Sequence, residues 1–142
     1  MPVARVHPPV AVAYSGGAYR VVAARPALPG DLLLRIAGVL THAPSRHSLQ
    51  VGPGRHLVPP PGLAPDDPSP RYAWRYLNHS CDPNAVVSGR ELIATRPVAA
   101  GDEVTFDYNT TEGELAEPFA CRCGHCGGRT IRGRDTPPKS AP

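Results

Sequence analysis

Proline and glycine punctuate this chain of 142 residues at 19 and 14 positions, so densely that long helices have little room to form. Between the breaks lie short, β-branched runs, which predict short strands joined by many turns. Strands are expected at 10–14, 19–24 and 32–40, with Ser15-Gly16-Gly17 separating the first two. Gly52-Pro53-Gly54 sets a hairpin between 48–51 and 56–58, and Gly89-Arg90 sets another between 85–88 and 91–95. A further strand is expected at 104–108 and helical turns at 72–77 and 112–117. The Pro- and Asp-rich stretch 59–70 reads as a loop. The chain is long enough for one domain with a single modest core, and a mainly β fold follows.

One short pattern occurs twice. Ala24-Arg25-Pro26 leads to Gly30-Asp31-Leu32, and Thr95-Arg96-Pro97 leads to Gly101-Asp102-Glu103-Val104 with the same spacing from Arg to Gly. Each copy reads as a strand ended by Pro, a turn that needs Gly, and a second strand. The echo is too short for a repeat architecture.

Composition narrows the function classes. Hydrophobic residues at 41% and charged residues at 19% fit a globular domain. A net charge of +3 is too small to argue for nucleic acid. The basic residues between Arg129 and Lys139 sit in a Pro-rich end that reads as a solvated tail. No apolar run of about 18 residues suggests a membrane span, and the start lacks the pattern of a signal peptide. A cytoplasmic, reducing location is the expectation, where cysteines more often serve metal or catalysis than disulfides.

Cys121, Cys123 and Cys126 form C-x-C-x-x-C, while Cys81 stands alone in mid-chain. Four thiolates complete one tetrahedral zinc with no cysteine left over. Such a site would staple the C-terminal knuckle to the loop after Asn78-His79-Ser80. Two alternatives stay open: His125 as a substitute ligand, and Cys123-Gly124-His125-Cys126 as a redox motif, although Gly127-Gly128 follow where a redox helix would be needed.

Two further clusters carry chemistry. Arg75-Tyr76-Leu77-Asn78-His79-Ser80-Cys81-Asp82-Pro83-Asn84 packs cation, aromatic, amide and imidazole just before a turn. Asn78, Ser80 and Asp82 could all cap local backbone, yet capping alone does not explain Asn, His and Cys in sequence. Gly101-Asp102-Glu103-Val104-Thr105-Phe106-Asp107-Tyr108 taken alone reads as a half-buried strand.

Together these segments resemble the SET domain of protein lysine methyltransferases with its post-SET cysteine cap. Residues 75–84 match the family's Arg-Phe-Ile-Asn-His-Ser-Cys-Asp-Pro-Asn, and 101–108 match its Gly-Glu-Glu-Leu-Thr-Phe-Asp-Tyr. The opening of the domain is recognisable at 23–32, and the likeness runs from about residue 14 to 133. The resemblance implies a SET-type β-clip fold with small sheets, a C-terminal pseudoknot and a zinc-stapled post-SET segment. It implies a leader at 1–9, the SET domain at 10–118, the zinc cap at 119–133 and a tail at 134–142.

It also implies roles. S-adenosyl-L-methionine would be held by Asn78 and His79, with Arg75 and Tyr76 beside it, Tyr19 and Arg20 near it, and Phe119 closing over the adenine. Tyr108 corresponds to the catalytic tyrosine, and Phe106 to a position where Phe usually permits more than one transfer. Zinc would be bound by Cys81, Cys121, Cys123 and Cys126. The expected partner is a protein or peptide bearing lysine, without nucleic acid or membrane, and the protein itself is expected to be a monomer. Two stretches depart from the pattern: Gly16-Gly17 precede the position of the family's Gly-x-Gly near Ala18-Tyr19-Arg20, and only Gly124 and His125 separate the last two cysteines. The second reading is a SET-like module that binds cofactor or peptide without turnover.

Overall fold

The computed structural model describes residues 9–45, 47–63, 70–113, 115, 118–121, 130–131 and 133. The tail at 134–142, the leader up to residue 8, most of the cap, and Cys123 and Cys126 within it lie outside these residues.

Twelve short strands and two 3-10 turns make up the described chain. The strands are β1 (Val10–Ser15), β2 (Ala18–Ala23), β3 (Leu32–Arg35), β4 (Val39–Thr41), β5 (Leu49–Gly52), β6 (Arg55–Val58), β7 (Asn78–His79), β8 (Ala85–Ser88), β9 (Glu91–Ala94), β10 (Thr105–Phe106), β11 (Phe119–Ala120) and β12 (Thr130–Ile131). They pair into small sheets ordered β1-β2, β3-β9-β8, β4-β6-β5, β7-β10 and β11-β12. The two hairpins expected at Gly52-Pro53-Gly54 and Gly89-Arg90 form as antiparallel pairs, and the strands on either side of Ser15-Gly16-Gly17 pair the same way. No described helix is long and apolar enough to cross a membrane.

Three expectations are corrected. The strand expected at 32–40 is two strands, because the chain passes tightly at Gly38: a Cβ there would collide with the Val58 carbonyl and press on the Trp74 ring. The strand expected at 104–108 pairs only at Thr105 and Phe106. Asp107 then turns the chain, its side chain accepting from the Asn109 N–H at 2.9 Å, and Tyr108–Thr110 wind as a 3-10 turn. The helical turn therefore comes earlier than 112–117, and Glu112, Gly113 and Leu115 lie outside any helix. The turn expected at 72–77 is a 3-10 segment over Pro70–Tyr76.

The repeated sequence pattern becomes a two-fold relation at the centre of the molecule. Ala27 and Val98 exchange both backbone hydrogen bonds at 2.9 Å. Gly30 donates to the Ala94 carbonyl and Gly101 to the Ala23 carbonyl, both at 2.8 Å. Gly30 and Gly101 have φ of 92° and 89°, a region that favours glycine. Asp31 accepts from the Leu28 N–H and Asp102 from the Ala99 N–H, so each aspartate closes its own turn. Corresponding positions also fill the core: Val21 with Leu92, and Leu33 with Val104, all fully buried. Each such side chain contributes about 1.5–3 kcal/mol on burial. On this rigid centre, β7 and β10 run parallel, Asn78 opposite Thr105 and His79 opposite Phe106. That pairing sets the two motif segments side by side.

Candidate functional site

A cavity of about 850 Å³ opens where β7, β10 and the 3-10 turn after Asp107 meet. Its wall includes Arg75, Asn78, His79, Phe106, Tyr108 and Phe119. Six of the residues expected at the site are thus brought together from distant parts of the chain. Tyr19 and Tyr76 are not part of the lining; their rings stack at 4.7 Å, with the Arg75 guanidinium 4.6 Å from the Tyr76 ring centre. Arg20 is exposed on β2, outside the wall.

Tyr108 owes its position to the turn that ends β10. Its hydroxyl donates to the Leu77 carbonyl, and its ring packs against Phe106 at 5.0 Å, His79 at 5.3 Å and Phe119 at 5.7 Å. Burial pushes the phenol's pKa well above the ordinary tyrosine range, and the carboxylates of Glu112 and Glu103 push it the same way. The hydroxyl is therefore neutral at any physiological pH and acts as a fixed dipole, not as a base.

Asn78 is exposed into the opening, and both amide hydrogens are held by the protein. Nδ2 donates to Glu103 Oε2 at 2.8 Å and to the Tyr19 carbonyl at 3.4 Å. The capping role open to Asn78 in the sequence is taken instead by Ser80, which accepts from the Asp82 N–H, and by Asn84, which binds both sides of residues 103–105. Arg96 clamps Asp82 at 2.6 Å from outside.

The His79 side chain is completely buried. Its Nδ1 accepts from the Tyr108 backbone N–H at 3.0 Å, which leaves the ring proton on Nε2. The Asp107 carboxylate at 3.6 Å from Nδ1 therefore makes no ion pair. Nε2 lies 3.2 Å from Cys81 Sγ, and that sulfur lies 3.8 Å from Cys121 Sγ. Two sulfurs about 2.3 Å from one tetrahedral zinc are about 3.8 Å apart, so Cys81 and Cys121 fit a shared metal. His79, Cys81 and Cys121 form a group that could hold an ion. The tautomer favours His79 as hydrogen-bond donor to the thiolate, a common outer partner at such sites.

Glu103 and Glu112 were not singled out by sequence reasoning. Glu103 stands inside a quoted motif, but its tie to Asn78 spans two separate segments. Glu112 reads as the start of a helical turn, and nothing local marks it as buried in a cavity wall.

The family model for the SET domain matches residues 18–109. Methyltransferase flvH of Aspergillus flavus is 34% identical over 104 residues, covering 69% of this chain and 52% of that protein. The H3 lysine-36 specific histone-lysine N-methyltransferase of Kluyveromyces lactis is 42% identical over 69 residues, covering 39% of this chain and 10% of that protein. The chain thus spans about half the length of one relative and a tenth of the other. A crystal structure of KRYPTONITE in complex with mCHH DNA, H3(1-15) peptide and SAH superposes with a TM-score of 0.56 at 21% identity, over 84% of this chain and 28% of that one.

Proposed function

The chain belongs to the SET-domain family, and from that premise we propose that it transfers a methyl group from S-adenosylmethionine to a lysine side-chain amine in a protein or peptide. The observation that carries this reading is the half-buried Tyr108, its hydroxyl held at a cavity wall with Asn78, His79, Phe106 and Phe119 around it. The names of histone-lysine methyltransferases among the relatives support an amine acceptor.

The sulfonium methyl of the cofactor is already activated, so the protein's work is alignment. The amine nitrogen must attack opposite the sulfur, and the broken carbon–sulfur bond leaves its electrons on sulfur. In this reading Asn78 faces the cofactor with its amide oxygen, because both amide hydrogens are engaged. Phe119 covers the cofactor side, and Tyr108 orients the nitrogen lone pair with a hydroxyl that cannot ionise. Phe106, without a hydroxyl, leaves space for a methylated amine to rotate and react again. Zinc bound by Cys81 and Cys121 would be structural, tying the segment after Phe119 to β7.

Transfer of a labelled methyl group into host-cell extract tests this. Wild type should label a lysine identified by mass spectrometry. Tyr108→Phe should bind cofactor normally and lose about 100- to 1000-fold in rate, the usual loss of one preorganised polar group. Normal transfer by that variant would sink the assignment.

A second reading, a SET-like module without turnover, draws support from β1 and β2. They continue as a regular hairpin through Ala18-Tyr19-Arg20, where the family's glycines would let backbone approach the cofactor. Cofactor binding by calorimetry with no transfer to any extract protein would favour it.

A further inference from the structure

Gln50 is buried on β5 and is not part of the cavity lining, although Ser48 and Leu49 just before it are. Tyr108 and Glu112, from the segment that follows β10, line the same cavity. Gln50 joins these two parts of the wall through its backbone and its side chain alike. Its N–H donates to Glu112 Oε2 at 2.8 Å, and its Oε1 accepts from the Gly113 N–H at 2.6 Å. Glu112 in turn donates its N–H to the Tyr108 carbonyl at 2.8 Å, so hydrogen bonds lead from Gln50 to Tyr108 without a gap.

The Gln50 amide is itself aimed. The ladder between β5 and β6 shifts register between Gln50 and Gly52, and Nε2 donates to the Gly52 carbonyl at 3.0 Å. An irregularity of this kind re-aims a side chain. With Nε2 on Gly52, Oε1 is the end turned to Gly113. Gly113 is buried, and leaving a buried N–H without its acceptor costs more than the bond itself contributes. On its other side, the Tyr108 N–H is held by His79 Nδ1 at 3.0 Å. Tyr108 is thus gripped before and after its own Cα, and β5 secures the second grip.

We propose that Gln50 is a positioning residue for methyl transfer. It acts through Glu112 and Gly113 to fix Tyr108 against β5, and so sets where the tyrosine hydroxyl stands relative to the reacting nitrogen. This rests on the methyltransferase reading above and adds to it a residue outside the cavity lining. Alignment is the protein's main contribution to such a reaction, and a displacement of about 1 Å can cost about 100-fold in rate. Asn78 is held by Glu103 and the Tyr19 carbonyl instead. Turnover and cofactor binding therefore respond differently when the tie is lost.

The test measures initial rates of labelled-methyl transfer into host-cell extract by the full chain while S-adenosylmethionine is varied. Gln50→Met keeps the length of the side chain and the backbone N–H but offers Gly113 no oxygen. Its maximal rate should fall about tenfold or more, with KM for S-adenosylmethionine and affinity for S-adenosylhomocysteine within about twofold of wild type. Val51→Ala trims a side chain packed on the core of the same strand without touching the tie, and should keep the wild-type maximal rate. Equal maximal rates in Gln50→Met and wild type overturn the inference. So does a loss shared by Val51→Ala, which marks a general effect of weakening β5. Hydrogen exchange on wild type saturated with S-adenosylhomocysteine decides should Gln50→Met fail to fold: the Gly113 amide should be protected, and exchange as fast as that of an exposed amide overturns the tie. If wild type transfers no methyl group, the methyltransferase reading falls and this inference with it, whereas a wild-type rate matched by Gln50→Met strikes the inference alone.

Discussion

Asn78 commits both hydrogens of its amide to the protein, one to the Glu103 carboxylate and one to the Tyr19 carbonyl. The orientation of the amide is thereby fixed, and its oxygen is the atom offered to a donor such as the cofactor's ammonium group. Charge-assisted hydrogen bonds are roughly twice as strong as neutral ones, so Glu103 holds this orientation better than a neutral partner would. Glu103→Gln can turn its own amide and lets Asn78 turn as well. S-adenosylhomocysteine affinity should fall about tenfold, or about 1.4 kcal/mol, with the melting temperature of the free protein little changed. An unchanged dissociation constant would show that Glu103 does not set the amide. The residues of the site were legible in unequal measure. Asn78 and His79 stand in a run that capping alone does not explain, whereas the run carrying Tyr108 reads by itself as a half-buried strand and gains meaning only beside the first. Glu103 and Glu112 look like ordinary solvated acids until the fold turns one toward Asn78 and buries the other beside Tyr108.

Elements were predicted best where a turn announces itself in glycine. Gly52-Pro53-Gly54 and Gly89-Arg90 each mark a hairpin that forms, and Gly16-Gly17 separates two strands that pair. Where the decisive contact is long-range, the local pattern misled. The run from 32 to 40 is apolar enough for one strand, yet Gly38 passes so close to Val58 and Trp74 that the chain must break there. The Trp74 indole N–H donates to the Ala37 carbonyl at 3.0 Å and holds the approach in place. Gly38→Ala should therefore destabilise by about 1–3 kcal/mol, the cost of overpacking against atoms that cannot move aside. Urea unfolding checks this, and a midpoint equal to wild type would mean that β4 or β6 shifts freely. The break at Asp107 is of a different kind. Val104, Phe106 and Tyr108 alternate as a strand should, but the Asp107 side chain captures the Asn109 N–H and ends β10 early. That small capture turns Tyr108 back toward the Leu77 carbonyl, which an extended strand would not do.

At the scale of the molecule, the doubled Arg-to-Gly pattern was visible in sequence, but its meaning was not. Only folding shows that the two copies face each other, Ala27 against Val98, and share one core. Among the described residues, the core cluster at that centre draws none of its members from the segment after Tyr108. The cavity does: Phe119 packs on His79 at 5.9 Å and on Tyr108 at 5.7 Å, and Cys121 follows two residues later, its sulfur 3.8 Å from that of Cys81. Among the described residues β11 pairs with β12 at two positions, Phe119 with Ile131 and Ala120 with Thr130, a ladder short enough that a further tie would steady Phe119. A metal at the thiol pair would supply that tie, and metal binding at such sites couples directly to folding. Protein prepared with zinc should hold about one equivalent per chain, and a chelator should weaken S-adenosylhomocysteine binding about tenfold or more. Hydrogen exchange should separate the two regions: amides of Phe119 and Ala120 lose protection, while those of Val21 and Val104 at the symmetric centre keep it. Cofactor affinity indifferent to chelation, with zinc bound beforehand, would show that Phe119 is held by packing alone. The division expected is thus between a core that folds on its own apolar contacts and a cavity completed by two sulfurs forty residues apart.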